Sequence, residues 1–271
     1  MRQSEMRNPK TTHIDKETTR GILDIIQEEN FNAVKAIDAC LPDIEKASDA
    51  MAEAINNGGR VFYLGAGTSG RLGVCDAAEC PPTFGVPSDM FTGIIAGGYK
   101  CMHTASENAE DSRTLSVEEL KAHNLCEKDI VIGISASGTA MYVISGIEYA
   151  NEIGAVTVSV TNNEGSLLAE KAKIKICAET GPEVITGSTR MKAGTAQKLI
   201  LNMISTTAMI KCGYVYENLM INLRPTNKKL TKRMVGIVEN ILKCSESEAE
   251  KLLIENNWSI KDAVGMAENK R

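Results

Sequence analysis

From Arg60 onward, short apolar runs alternate with longer segments in which apolar residues recur every three or four positions. The runs cover residues 61–64, 91–96, 130–134, 155–160 and 174–177. They are apolar at nearly every position, and several are rich in β-branched residues. A strand with two apolar faces belongs to a parallel sheet covered by helices on both sides. Residues 112–123 and 142–153 carry helical spacing between the runs, so the pattern predicts an α/β fold, a doubly wound parallel sheet. Ahead of it, Ile22, Ile25, Ile26, Val34 and Ile37 mark one helix, broken at Pro42. Ile44, Met51 and Ile55 mark a second, ended by Asn56, Asn57, Gly58 and Gly59. Beyond the sheet region, residues 191–212 form a long, mostly apolar helix. A linker at 222–227 leads to three charged helices, 230–242, 246–256 and 259–267, the second opened by the capping residues Ser245, Glu246, Ser247 and Glu248. The expected organisation is a flexible terminus at 1–17, a main α/β domain at 18–227 and a small helical region at 228–271.

In doubly wound sheets, ligands bind at the carboxyl ends of the strands, and small-residue loops follow two of the runs. The first, Gly65-Ala66-Gly67-Thr68-Ser69-Gly70, lets backbone amides and a helix N-terminus approach an anion. It also matches G-x-G-x-x-G, but the second run ends in Gly97 and Gly98 without the acidic residue that a dinucleotide ribose requires, which argues against a nicotinamide cofactor. The second loop, Ser135-Ala136-Ser137-Gly138-Thr139, offers three hydroxyls. Ordinary capping of the following helix would need one of them, so anion binding is the favoured reading. A third stretch, residues 183–195, contains Ser188, Thr189, Arg190 and Lys192 at the start of the long helix. Cations there oppose the helix dipole unless an anion, or nearby Glu183, offsets them.

Two carboxylates flank these loops. Glu79 lies beyond the first, just before Pro81 and Pro82, which are expected to end that helix. Glu110 lies past the second strand. Both are expected at the ligand edge of the sheet, where two carboxyls in different environments can divide into acid and base. Glu107 and Asp111 compete with Glu110 for such a role.

Composition narrows the classes. A net charge of −5 over 271 residues argues against general nucleic-acid binding. No run is long and apolar enough for a membrane span, and residues 1–15 lack the apolar core and cleavage site of a signal peptide. Eight cysteines and three histidines are scattered without a C-x-x-C pair, as in a cytoplasmic protein with reduced thiols.

The three loops together resemble the sugar-isomerase (SIS) domain, a five-stranded parallel sheet that binds phosphosugars. More specifically, LGAGTSGRLGVCDAAECPPTFG, ENAEDS and GPEVITGSTRMKAGTAQKLILNMIST resemble the signature segments of the N-acetylmuramic acid 6-phosphate etherases, from about residue 15 to the C-terminus. That resemblance implies cleavage of a D-lactyl ether with no metal or organic cofactor, Glu79 as acid and Glu110 as base. It implies substrate contacts from Gly67, Thr68, Ser69, Ser135, Ser137, Thr139, Ser188, Thr189, Arg190 and Lys192. An acid working near neutrality needs burial or a neighbouring negative charge, for which Cys80, Pro81 and Pro82 could supply a dry setting. Two departures stand out. Thr139-Ala140-Met141 occupies the place of the family's Arg-Thr-Pro, and the chain ends at Arg271, short of the usual family C-terminus.

SIS relatives are dimers with sites near the subunit boundary, and the apolar positions of the N-terminal helices and of residues 191–212 exceed what one sheet face needs. A homodimer is therefore expected. The rival readings are a non-catalytic phosphosugar-binding regulator, which needs the phosphate loops but neither carboxylate, and an aldose–ketose isomerase, which lacks the AECPPT segment.

Overall fold

The computed structural model of the protein describes residues 3–104 and 108–265. Five strands, β1 (Val61–Gly65), β2 (Phe91–Ile95), β3 (Ile130–Ile134), β4 (Val156–Thr161) and β5 (Ile174–Cys177), pair in parallel in the order β2-β1-β3-β4-β5. The reversal of direction between β1 and β3 is the switch point at which doubly wound sheets open a ligand crevice.

Side chains alternate across the sheet. Val61 and Tyr63 join Ile132 and Val160 on one face, under α2 (Leu41–Asn56), α3 (Gly67–Phe84) and α7 (Lys192–Lys211). Phe62, Leu64 and Val131 face the other way, under α4 (Leu115–Ala122), α5 (Met141–Ile153) and α6 (Leu167–Lys171). Each fully buried Leu, Ile or Phe in these two layers contributes about 1.5–3 kcal/mol of transfer free energy. Helix α1 (Thr19–Lys35) lies outside this arrangement and contacts α7. Only Glu29 and Ala33 of α1 are buried, while Leu23, Phe31 and Val34 are more than half exposed.

Four differences from the sequence reading have physical causes. Pro81 and Pro82 lie inside α3 rather than ending it. They sit in its last turn, and the stop comes at Gly85, left-handed at φ 68°, whose amide bonds Pro81 O at 2.8 Å. A side chain at Gly85 would also strike Asn222 O, 1.7 Å from the position of its Cβ. The terminus expected to be flexible forms three short 3-10 turns at residues 3–16, held by polar contacts with distant segments. Asn8 Nδ2 donates to Glu29 and Pro182 O, Thr11 Oγ1 donates to Val184 O, and Gly187 N donates to Ser4 O. Hydropathy does not register such contacts. The helical appendage begins earlier than residue 228. A two-strand hairpin, β6 (Val215–Tyr216) and β7 (Leu219–Met220), leads into Ile221 and Leu223, which share a separate core with α8 (Lys228–Leu242), α9 (Glu246–Glu255) and α10 (Ile260–Ala263). Finally, α4 starts at Leu115 rather than Ser112, because the Ser112 hydroxyl accepts from the amides of Thr114 and Leu115.

Candidate active site at the carboxyl edge of the sheet

Gly65 and Ile134 are register partners, so the loops after β1 and β3 leave the sheet side by side. In the second loop Ser135 Oγ accepts from Gly138 N at 3.1 Å, and the Ser137 and Thr139 hydroxyls are paired at 2.9 Å. Gly138 is obligatory: its φ is +67°, and a Cβ there would lie 2.3 Å from Ser166. None of the three hydroxyls caps α5, whose N-cap is Ala140 without a side-chain bond. The capping alternative is thereby removed. Ser137 and Thr139 are half-buried and line a cavity of about 450 Å³ together with Asn163 and Ser166. Ser166 Oγ is buried and has no partner among the described residues.

The first loop meets the third across the opening turn of α7. A Cβ at Gly194 would lie 3.3 Å from Thr68 Cγ2 and 3.5 Å from Thr189 O. Gly67 is exposed at φ +53°, and Thr68, Ser188 and Thr189 are half-buried around this junction. Arg190 is exposed beside it.

Ser69 and Lys192, two of the expected substrate contacts, point their side chains into the protein instead. Ser69 is 8% exposed and donates to Gln197 Oε1 at 2.9 Å. Gln197 Nε2 donates to Asn162 Oδ1, and Asn162 Nδ2 donates to Ala178 O. A carbonyl can only accept, so the direction of every bond in this chain follows from its last member, and the Ser69 proton is committed to Gln197. The Lys192 ammonium is 2% exposed and paired with the Glu29 carboxylate, itself 3% exposed. Burial alone would raise the Glu29 carboxyl, but Lys192, with help from Asn8, holds it below the ordinary value. Glu183 fills the N-terminus of α7, accepting from the amides of Lys192 at 3.0 Å and Ala193 at 2.9 Å. The anion position at that helix end is therefore taken by the protein's own carboxylate. Lys192→Ala would leave the buried Glu29 with only Asn8 and the half-exposed Lys10, 3.7 Å away, and the expected loss lies towards the lower end of about 3–5 kcal/mol of folding stability. Urea denaturation measures it, and a loss below about 1 kcal/mol would show that the pair does not hold α1 to α7.

Glu110 belongs to this edge. Its carbonyl accepts from Tyr142 N, in the first turn of α5, at 2.9 Å. The Tyr142 phenol donates to Glu119 of α4, so one residue holds both ends of the segment carrying Glu110. The Glu110 side chain keeps solvent contact. Partial desolvation, and then the Asp111 carboxylate, push its carboxyl above the ordinary value. Asp111 is exposed, and Glu107 lies outside the described residues.

Glu79 is elsewhere. Helix α3 descends along the sheet, with Gly70 against Gly65, Gly73 against Tyr63, and the Asp76 carboxylate accepting from the Tyr63 hydroxyl at 2.7 Å. Twelve residues past Gly67, Glu79 is about 18 Å along the helix axis from the first loop. It is exposed, towards the amino edge of the sheet. Within one chain the structure does not bring the two carboxylates together. The sequence reading placed both at the ligand edge because it followed chain proximity to the first loop and not the rise of the helix. Nothing local in the sequence distinguishes Gln197, Asn162, Tyr142 and Glu119 from ordinary polar residues on helices and strand ends.

A family model described as the glucokinase regulatory protein N-terminal SIS domain matches residues 43–151, one for the SIS domain matches residues 113–206, and one for the C-terminal lid domain of glucokinase regulatory protein matches residues 217–269. Among curated proteins, the N-acetylmuramic acid 6-phosphate etherase of Clostridium beijerinckii is 52% identical over 263 residues, 97% of this chain and 86% of that protein. The etherase of Pasteurella multocida is 51% identical, over 97% and 87%. The chain belongs to the N-acetylmuramic acid 6-phosphate etherase family. Solved structures add the fold alone. A phosphoheptose isomerase from Francisella tularensis matches with a TM-score of 0.57 at 19% identity, covering 71% of this chain and 98% of that one. The corresponding isomerase from Neisseria gonorrhoeae gives 0.54 at 18%, covering 70% and 98%. In this member of the etherase family the loops after β1 and β3 thus offer neutral donors, with Arg190 exposed beside them and the buried Lys192 turned towards Glu29.

Proposed function

We infer that the protein is a carbon–oxygen lyase that cleaves the D-lactyl ether of N-acetylmuramic acid 6-phosphate, giving N-acetylglucosamine 6-phosphate and D-lactate by elimination and hydration. The observation that carries this reading is the identity of about half the residues with etherases along nearly the whole chain. Lactate release from N-acetylmuramic acid 6-phosphate by the purified protein tests it directly, and its absence would favour the regulator reading.

The 6-phosphate is assigned to the amides at residues 67–69 and the hydroxyls of Ser135, Ser137 and Thr139, where neutral donors meet two helix N-termini. Ser188, Thr189 and Arg190 border the same crevice. In the open-chain sugar, the aldehyde at C1 acidifies the C2 proton. Glu110 removes that proton, an acid protonates the ether oxygen at C3 as the C–O bond breaks, and D-lactate departs. Water then adds across the C2–C3 double bond, the acid residue now acting as base. Glu79 is assigned the acid role, which asks for a carboxyl shielded from water. A second copy supplies both needs: it would cover the exposed face of α3 and present its own Glu79 to the Glu110 of its neighbour. The exposed Leu23, Phe31 and Val34 of α1 also favour a homodimer. A cytoplasmic setting is supported by eight free cysteines; among the described residues no helix is long and apolar enough to cross a membrane.

Ser137→Ala is expected to weaken N-acetylglucosamine 6-phosphate binding roughly tenfold or more, the value of a hydrogen bond to a charged group. Binding of unphosphorylated N-acetylglucosamine should barely change. Calorimetry on both ligands decides, and equal losses would remove the phosphate from this loop.

A further inference from the structure

At the opposite edge of the sheet from the hydroxyl loop, a crevice of about 610 Å³ separates the α/β body from the C-terminal helices. The ends of α2, α3 and α7 border it on one side, and the segment from Ile221 to Pro225 and the α9–α10 turn on the other. Among the described residues its lining includes Arg224 and Lys261 and no carboxylate, in a chain of net charge −5. Neither cation has a carboxylate within ion-pair distance among the described residues. The Lys261 ammonium lies 5.9 Å from the centre of the Tyr214 ring.

Helix C-termini favour nearby cations, which accounts for Arg224 and Lys261 being there. It does not account for two other features. Asn222 Nδ2 is buried against the crevice with no acceptor among the described residues, and a buried donor left unpaired is costly. The α9–α10 turn places two consecutive non-glycine residues, Asn257 at φ 52° and Trp258 at φ 60°, in the left-handed region. For a residue as bulky as tryptophan this conformation is unfavourable, and the Trp258 amide secures it by a 2.7 Å bond to Leu253 O. The result is that Trp258 borders the crevice while packing against the core of the C-terminal helices.

We propose that this crevice is a second small-molecule site, separate from the hydroxyl loop, that takes a phosphosugar. Arg224 and Lys261 supply countercharge to the phosphate. The Ser259 hydroxyl meets a sugar oxygen. The rings of Trp258 and Tyr214 give the flat apolar surfaces on which pyranose C–H faces pack. The volume suits a ligand of this size, and a seam between two packed units is a common place for one. Such a ligand would touch both units at once, so its binding energy would favour the docked arrangement of the helical bundle.

Trp258 is the sole tryptophan of the chain, so indole fluorescence reports from this crevice and from nowhere else in it. Titration of the full-length protein with N-acetylglucosamine 6-phosphate is expected to give a saturable fluorescence change, and calorimetry two equivalents per chain. Ser137→Ala, which weakens the hydroxyl loop, should keep the fluorescence change and weaken the calorimetric equivalent belonging to that loop roughly tenfold or more. Arg224→Ala and Lys261→Ala should each weaken the fluorescence response at least tenfold while leaving the second equivalent in place. Unphosphorylated N-acetylglucosamine should produce no response. One equivalent per chain, weakened in Ser137→Ala and unaffected in Arg224→Ala and Lys261→Ala, would overturn the second site whether or not the fluorescence changes. An equal response to the neutral sugar would overturn the anionic ligand. If the protein releases no lactate but binds two equivalents in this pattern, the crevice stands and the etherase reading fails.

Discussion

Glu110→Ala is expected to abolish both deuterium exchange at C2 and ether cleavage, whereas Glu79→Ala should abolish cleavage and leave exchange running. The division follows from the order of events at the two carbons. Removal of the C2 proton needs the base, the aldehyde and the bound phosphate, and each is present without an acid at C3. Loss of a general acid or base costs roughly a hundredfold to ten-thousandfold in rate, so cleavage in both variants should approach the detection limit. Proton NMR in deuterated water separates the two steps on one sample. Exchange that survives in Glu110→Ala and vanishes in Glu79→Ala would reverse the assignment, and near-normal cleavage in both would discard it. The raised carboxyl of Glu110 adds a pH dependence. A base must be ionised to act, so activity falls as pH drops through its pKa. The acid limb of kcat/KM should therefore lie above the ordinary carboxylate value of 4.5. Replacing Asp111 by Asn, which removes the neighbouring negative charge, should move that limb down.

Mixing the two inactive variants is expected to restore activity. If each site takes Glu110 from one chain and Glu79 from the other, a heterodimer of Glu79→Ala with Glu110→Ala has one site with both carboxylates and one with neither. Random reassortment in a two-fold dimer makes about half the molecules heterodimers, so about a quarter of wild-type activity should return. Co-refolding from denaturant followed by a lactate assay gives the number, and native mass spectrometry confirms that heterodimers formed. Heterodimers without activity would mean that both carboxylates come from the same chain, and α3 would then have to move a long way from its place along the sheet.

The parts of this protein that can be read from sequence are those fixed by local rules. The five apolar runs became the five strands with shifts of about a residue at their ends, because a doubly buried strand has no polar positions to blur its limits. Ser245 and Glu248 form the capping box expected of them. The misreadings fall where a distant partner decides the outcome. Lys192 looks like a ligand contact until Glu29, far away in sequence, is seen to hold it. Ser69 looks available until Gln197 takes its proton. Residues 3–16 look frayed because they are polar, and they are ordered by polar bonds to segments that are made much later. Glu79 differs from these, since counting the rise of α3 would have placed it far from the loop.

The contacts of the N-terminal turns also bear on how the chain acquires its structure during synthesis. Asn8 and Thr11 bond to the carbonyls of Pro182 and Val184, and Glu29 is neutralised by Lys192. At roughly 5–20 residues per second, these partners emerge about eight to thirty-five seconds after the residues that need them. Until then Glu29 has only Asn8 and the half-exposed Lys10 beside it, so burying it is costly and α1 stays hydrated while the strands are made. A segment made before the sheet is thus among the last to lock. A chain stalled before residue 192 would lack α7, and both α1 and the sheet face that α7 covers would stay open to whatever chaperone is near.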